Sequence, residues 1–173
     1  METPPLETER LLLHPMNEED IPFVFKLFSR NETNKYSEYP DLKNMKEAEE
    51  LYEKFIKPGS ENHFRLLIKL KENGEPIGTI GLYNFTIIHM RAELGYDLLK
   101  EYWGNEYMTE AVKALIDYGF GRLGLVRIEA SVDSENVASI MVLERTGFQL
   151  EGNMRERNFY KGKFHDERFY GLL

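Results

Sequence analysis

Residues 101–111 read EYWGNEYMTEA, a stretch that suits an anion and yet carries one of its own. Upstream, RAELGYDLL alternates like a strand. Downstream, Met108, Ala111, Val112, Leu115, Ile116 and Gly119 recur on one helical stripe. The segment reads as a strand, a tight Trp103-Gly104 turn and the first turn of a helix. Such a helix start offers unpaired N–H groups and the positive end of its dipole, which together suit a phosphate. Glu106 puts a carboxylate in that spot. Without any ligand, Asn105 as N-cap and Glu106 in the first turn would account for the stretch as well.

A second constellation lies in ENVASIMVLERTGF, residues 135–148, after the strand-like VRIEASVDS. A side-chain amide and a hydroxyl at i and i+3 share a helix face, so Asn136 and Ser139 could both reach one ligand. The bland alternative is that Asn136 caps the helix and Ser139 fills space. The tail EGNMRERNFYKGKFHDERFYGLL says only β-hairpin by itself. His14, His63, His89 and His165 are scattered without metal-ligand spacing and cysteine is absent, so no metal is expected. A net charge of −8 argues against nucleic acid, whose phosphates need clustered Lys and Arg. It favours cationic partners through long-range steering, or only keeps the chain soluble.

These residues need a scaffold, and 173 residues at 42% hydrophobic suit one domain over 1–173. No linker, repeat, membrane span or secretory leader is evident, which sets the expectation of a cytoplasmic protein with no membrane partner. RLLLHP reads as a first strand, 17–30 as a helix with acids in its first turn, and 45–56 as a second helix stopped by Pro58 and Gly59. FRLLIKL, PIGTIGLYNF and AELGYDLL read as strands, the first two joined by a hairpin signal at Asn73-Gly74. A helix over 108–120, the strand VRIEASV, a helix over 136–146 ended by Gly147 and two strands about Lys161-Gly162 complete a mixed sheet with helices on both faces.

Taken together, WGNEYMTEA, NVASIMVLERTGF, EG-x-MRE and the Lys-Gly hairpin leading to HDERFYGLL resemble the GNAT superfamily of acetyl-CoA-dependent N-acetyltransferases. The similarity is greatest to the RimJ/RimL-type branch, which acetylates protein N-termini, and to related small-amine enzymes. ETERLLLHPM also resembles how that branch begins, with His14 where Arg is more usual. The resemblance implies an α/β GNAT fold, a mixed, mostly antiparallel sheet flanked by helices, and acetyl-CoA as co-substrate without a metal. It also implies an amine substrate, a protein N-terminus first and a polyamine, amino acid or aminoglycoside second, and a monomer or homodimer. A non-catalytic CoA-binding module is the rival from another class.

The resemblance further implies roles. Asp97, Leu98 and Leu99 would hold the pantetheine arm. The loop Trp103, Gly104, Asn105, Glu106, Tyr107, Met108 and Thr109 would cradle the pyrophosphate, with Glu106 departing from the family's central glycine. Asn136 would contact the pantetheine. The Asp97 N–H would be the oxyanion donor. Glu93 matches the family's base, and its alternation against Ala92, Leu94 and Tyr96 puts it on the opposite strand face. Leu143 stands where many relatives carry a tyrosine acid, so Ser139 is the substitute, with water second. Asn158 stands where RimL-type enzymes use a glutamate, which leaves Glu156 and a water chain as rival bases. Substrate choice would lie in residues 31–60.

Overall fold

The structure, a computed structural model, describes residues 3–58 and 62–173. In chain order the elements are β1 (Leu6–Glu7), β2 (Leu11–Pro15), α1 (Ile21–Phe28), α2 (Met45–Leu51), β3 (Phe64–Leu70), β4 (Pro76–Thr86), β5 (Arg91–Leu98), α3 (Tyr107–Gly121), β6 (Arg127–Asp133), α4 (Val137–Arg145), β7 (Gln149–Tyr160) and β8 (Lys163–Leu172). Local chemistry sets several boundaries. Asn17 forms a capping box with Asp20 ahead of α1, and Asn44 caps α2 by accepting from the Glu47 N–H. Gly147, at φ 95°, takes the left-handed conformation that ends α4.

The strands form one sheet in the order β1-β2-β3-β4-β5-β6-β8-β7. Every pair is antiparallel except β5 and β6, which are parallel and joined through α3. Alternation along β3 divides the core. Leu66 and Ile68 pack with Ala111, Val112 and Leu115 of α3, whereas Leu67 joins Val24, Leu27, Ala48 and Tyr52 of the α1/α2 layer. All are essentially excluded from solvent, and each large aliphatic side chain so buried contributes about 1.5–3 kcal/mol.

The mixed, mostly antiparallel sheet flanked by helices is therefore as the sequence implies, with local departures. β1 is an added two-residue strand. The helix expected over 45–56 changes at Tyr52–Ile56 into a π-helical turn. Of its expected stop, Gly59 lies outside the described residues, as does Ser60 at the end of the expected substrate region. At the β3–β4 turn only Gly74 has positive φ, so it is not the two-residue type that needs two such residues, and a bulge at Ile68/Lys69 absorbs the difference. Among the described residues, no helix is long and apolar enough to cross a membrane.

Two features position the site. The β5–β6 pairing consists of Arg91↔Arg127, Ala92↔Ile128 and Glu93↔Glu129 and then stops, although β5 runs on to Leu98 and β6 to Asp133. The strands therefore part into a wedge. Over the α1/α2 face of that wedge, the turns after α1 are pinned from both ends. Asn34 Nδ2 donates to Phe28 O at 2.6 Å, and Lys161 Nζ donates to Asn34 O at 2.7 Å and Lys35 O at 3.2 Å. Lys161→Met removes the second anchor. Hydrogen exchange of the amides over 32–39 should accelerate by roughly 5–30-fold, the worth of one or two lost hydrogen bonds. Unchanged exchange would mean that the turns hold themselves.

Candidate active site

The wedge leaves main-chain groups facing outward from each strand. Met90 O accepts from Val126 N at 2.7 Å, whereas Leu99 N donates to Ile77 O at 2.9 Å. Alternation between those ends turns the amides and carbonyls of Tyr96 and Leu98, and the Leu94 carbonyl, toward the gap and those of Asp97 toward β4. Trp103 Nε1 takes up the Leu98 carbonyl at 2.9 Å. Below the split, Arg91 and Arg127 both hold Glu129, and Arg127 also holds Glu151. Glu93 makes the last tie across the strands, accepting from Ser131 Oγ at 3.2 Å and from Asn84 Nδ2 at 2.8 Å.

A cavity of about 860 Å³ runs through the gap, within the range of small-ligand sites. On one side of the sheet it meets the starts of α3 and α4. On the other it is lined by Ser131, Asp133, Asn158, Tyr160 and Glu167 beneath the turns of 32–39.

Of the residues expected to hold the cofactor, Leu98, Trp103, Gly104, Glu106, Tyr107, Met108, Thr109 and Asn136 line this cavity. Leu99 and Asn105 do not. Leu99 is fully buried in the α1/α2 layer, and Asn105 supports the turn by donating to the Tyr102 and Trp103 carbonyls. The N-cap of α3 is Glu106, not Asn105. At φ 62° it occupies the left-handed region and makes no capping bond from its side chain. The first main-chain bond of the helix is Glu110 N to Glu106 O, so the amides of the opening turn remain available. The Glu106 carboxylate meets Arg145 at the end of α4. A hydrogen bond with Thr109, and then the Arg145 charge, holds its pKa below the ordinary glutamate value. Asn136 does cap α4, its Oδ1 accepting from Ser139 N at 3.2 Å. Its Nδ2 makes no protein hydrogen bond among the described residues.

The catalytic candidates separate. Ser139 lines the cavity, and its Oγ lies 2.7 Å from the Tyr96 hydroxyl. Burial raises the Tyr96 pKa, so this hydroxyl keeps its proton, which can go to the Ser139 carbonyl at 3.2 Å or to Oγ. Leu143 lies on the same wall, buried and without a polar group to offer. The Asp97 side chain also faces the cavity but is engaged by Arg65, which donates in addition to Thr79 at 2.9 Å and Tyr83 at 2.5 Å. Burial keeps the Asp97 pKa above its ordinary value despite that partner. Glu93 lies at the closed vertex and Glu156 in an exposed bulge at φ 51°, and neither lines the cavity.

Sequence reasoning missed Tyr96, Arg65 and a cluster on β6–β8. There, His165 Nδ1 lies 2.8 Å from Asp133 Oδ2, which also accepts from the Tyr160 hydroxyl. The Tyr160 and His165 rings stack at 3.7 Å. Asp133, Glu135 and His165 bring potential metal-ligand atoms within 4.8 Å of one another, a convergence that their sequence spacing hides. In this arrangement His165 is taken by Asp133, and Glu135 by Lys163.

The profile of the Acetyltransferase (GNAT) domain matches residues 10–149. This chain belongs to the GNAT acetyltransferase family. Relatives include the uncharacterized N-acetyltransferase YoaA of Bacillus subtilis, 33% identical over 98% of this chain and 97% of that one. The spermidine N(1)-acetyltransferase of Escherichia coli is 30% identical over 89% and 81%. Among solved structures, spermidine N-acetyltransferase of Vibrio cholerae in complex with CoA and spermine superposes with a TM-score of 0.86 at 25% identity, covering 96% of each chain.

As a GNAT enzyme with a glutamate at the helix start, this protein allows a sharp electrostatic test. Glu106→Gln removes the charge, keeps the shape and frees Arg145 for an anion. Acetyl-CoA should bind roughly 2–30-fold more tightly, from relief of charge repulsion at about 8 Å, while the ligand-free protein melts slightly lower. Calorimetric titration and melting of both forms check this. Weaker binding would show that Glu106 contributes a favourable contact.

Proposed function

We propose that the protein transfers the acetyl group of acetyl-CoA to a primary amine of a small polycation such as a polyamine. The observation that carries this reading is the charge of the substrate half of the cavity. Glu32, Glu38, Asp97, Asp133, Glu135 and Glu167 face it, against Lys35. Cations support four of these from outside the lining: Lys100, Arg65, Lys163 and Arg157. Asp133 and Glu38 have no such partner among the described residues. Carboxylates around a roofed cavity attract an ammonium and concentrate it. The names of the two spermidine enzymes above support the same class. A protein N-terminus, the RimJ/RimL-type reading, is second, because a folded chain must enter beneath the pinned turns of 32–39.

The residues divide the work by sheet face. Acetyl-CoA supplies the thioester carbonyl. The free amides opening α3 suit the pyrophosphate, and the Leu94, Tyr96 and Leu98 main chain and Asn136 Nδ2 suit the pantetheine amides. An N–H of Tyr96 or Leu98 then stands for the oxyanion donor in place of Asp97, whose amide turns toward β4. The hydroxyl pair of Tyr96 and Ser139 protonates the departing thiolate. Either hydroxyl can donate to the other, so the pair can hand on a proton from either side.

Thiol release from acetyl-CoA should show a kcat/KM for spermidine at least about tenfold above that for peptide N-termini. The reverse order would restore the N-terminal reading. In the same assay Tyr96→Phe should lower kcat by roughly 10–100-fold with little change in amine KM, as for a group acting on the leaving atom. An unchanged kcat would remove Tyr96 from the proton path.

A further inference from the structure

The geometry points to Asp133 as the carboxylate that receives the substrate ammonium, an inference that rests on the amine-acetylating reading above. Three observations carry it. First, the β5–β6 register pairs Glu93 with Glu129, and four residues further along each strand are Asp97 and Asp133. Had pairing continued, these two would be opposite one another. The split separates them, so Asp133 lies across the cavity from the strand that presents its main chain to the thioester.

Second, Asp133 lines that cavity with a side chain only 4% exposed and no Lys or Arg partner among the described residues. Its Oδ1 accepts the Glu135 N–H at 2.7 Å, while Oδ2 accepts the Tyr160 hydroxyl and faces His165 Nδ1. A carboxylate has about four acceptor positions, so one on Oδ1 remains for a donor from the cavity. Third, the surroundings fix the group in place. Tyr160 stacks on His165, and His165 Nε2 is buried without a hydrogen-bond partner among the described residues. Glu93, by contrast, is tied to Ser131 and Asn84 at the closed end and has no face on the cavity.

The groups facing Asp133 are Ser131 on its own strand, His165 and Glu167 from β8, Tyr160 and Asn158 from β7, and Glu135 before α4. Lys35 and Tyr36 look down from the turns above, and Asp97 lies across the gap. Two of the substrate nitrogen's protons leave in the reaction. The ammonium held by Asp133 gives the first to solvent. The neutral amine forms the C–N bond as the C–S bond breaks, and the second proton reaches the thiolate sulfur through Ser139 and Tyr96.

Asp133→Asn keeps the Oδ1 acceptor for Glu135 N and the side-chain volume. The test measures spermidine acetylation, spermidine binding to the CoA-loaded protein, acetyl-CoA affinity and melting. Expected are melting and acetyl-CoA Kd close to wild type, spermidine binding weakened at least about tenfold, and kcat/KM lower by roughly 10²–10³-fold. Tyr160→Phe provides a second measurement should Asp133→Asn fold poorly. Without that donor Asp133 Oδ2 is held less firmly, so the spermidine KM should rise by roughly 3–10-fold with kcat and acetyl-CoA Kd little changed. Glu93→Gln should keep most of the rate. Retention of more than half the wild-type kcat/KM by Asp133→Asn overturns the assignment, and so does an unchanged spermidine KM in Tyr160→Phe. Activity that needs a divalent ion and is lost to EDTA would make Asp133 a metal ligand instead. Failure of the wild-type protein to bind or acetylate any amine would sink the functional reading itself, and this assignment with it.

Discussion

Two parallel strands that begin paired and then separate set the terms for the rest of the molecule. Beyond Glu93 and Glu129, β6 stays hydrogen-bonded to β8 and β5 to β4, so each remains a well-formed strand while the edges between them lose their partners. Interior amides and carbonyls without partners are costly, by about 1–3 kcal/mol each when no water or ligand reaches them. A fold that keeps such a gap must fill it with something bearing donors and acceptors at strand spacing. The Arg91, Arg127, Glu129 and Glu151 network closes one end of the wedge. At the other end the starts of α3 and α4 converge.

The wedge also divides the chemistry. Because side chains alternate, Tyr96 reaches toward α4 while Asp97 turns to Arg65 on the opposite face. One cavity therefore has a side of helix starts, amides and Arg145, and a side of carboxylates beneath the turns of 32–39. Opposite electrostatic preferences meet at the gap, which suits an anionic donor entering from one face and a cationic acceptor from the other. Glu106 is the local exception. Its charge is compensated by Arg145 and Thr109 rather than left to the helix dipole alone.

Much of this was readable before folding, and the remainder has a common cause. The stripe from Met108 to Gly119, the alternation through Glu93, the stop at Gly147 and the i, i+3 pair Asn136/Ser139 are local signals, and local physics set them. The resemblance placed the loop from Trp103 to Thr109, most of which does line the cavity. What stayed hidden depends on register. Nothing local says that β5 leaves β6 after Glu93, that Arg65 reaches Asp97 32 positions away, or that the β6–β8 pairing brings His165 to Asp133. The same distinction accounts for Asn105 and Leu99. Both fit the motif, but each is turned away by a neighbour, the Tyr102 and Trp103 carbonyls for one and the α1/α2 core for the other.

The most direct test is residue-resolved amide hydrogen exchange over β5 with and without acetyl-CoA. If the gap is completed by the co-substrate, the amides of Tyr96 and Leu98 should slow by roughly tenfold or more on saturation, while those of Gly95 and Asp97, already directed at β4, change little. Equal slowing of both sets would indicate general stabilisation rather than pairing in the gap. No slowing at Tyr96 and Leu98 while acetyl-CoA binds would contradict the account, because the ligand would then lie somewhere other than between the parted strands.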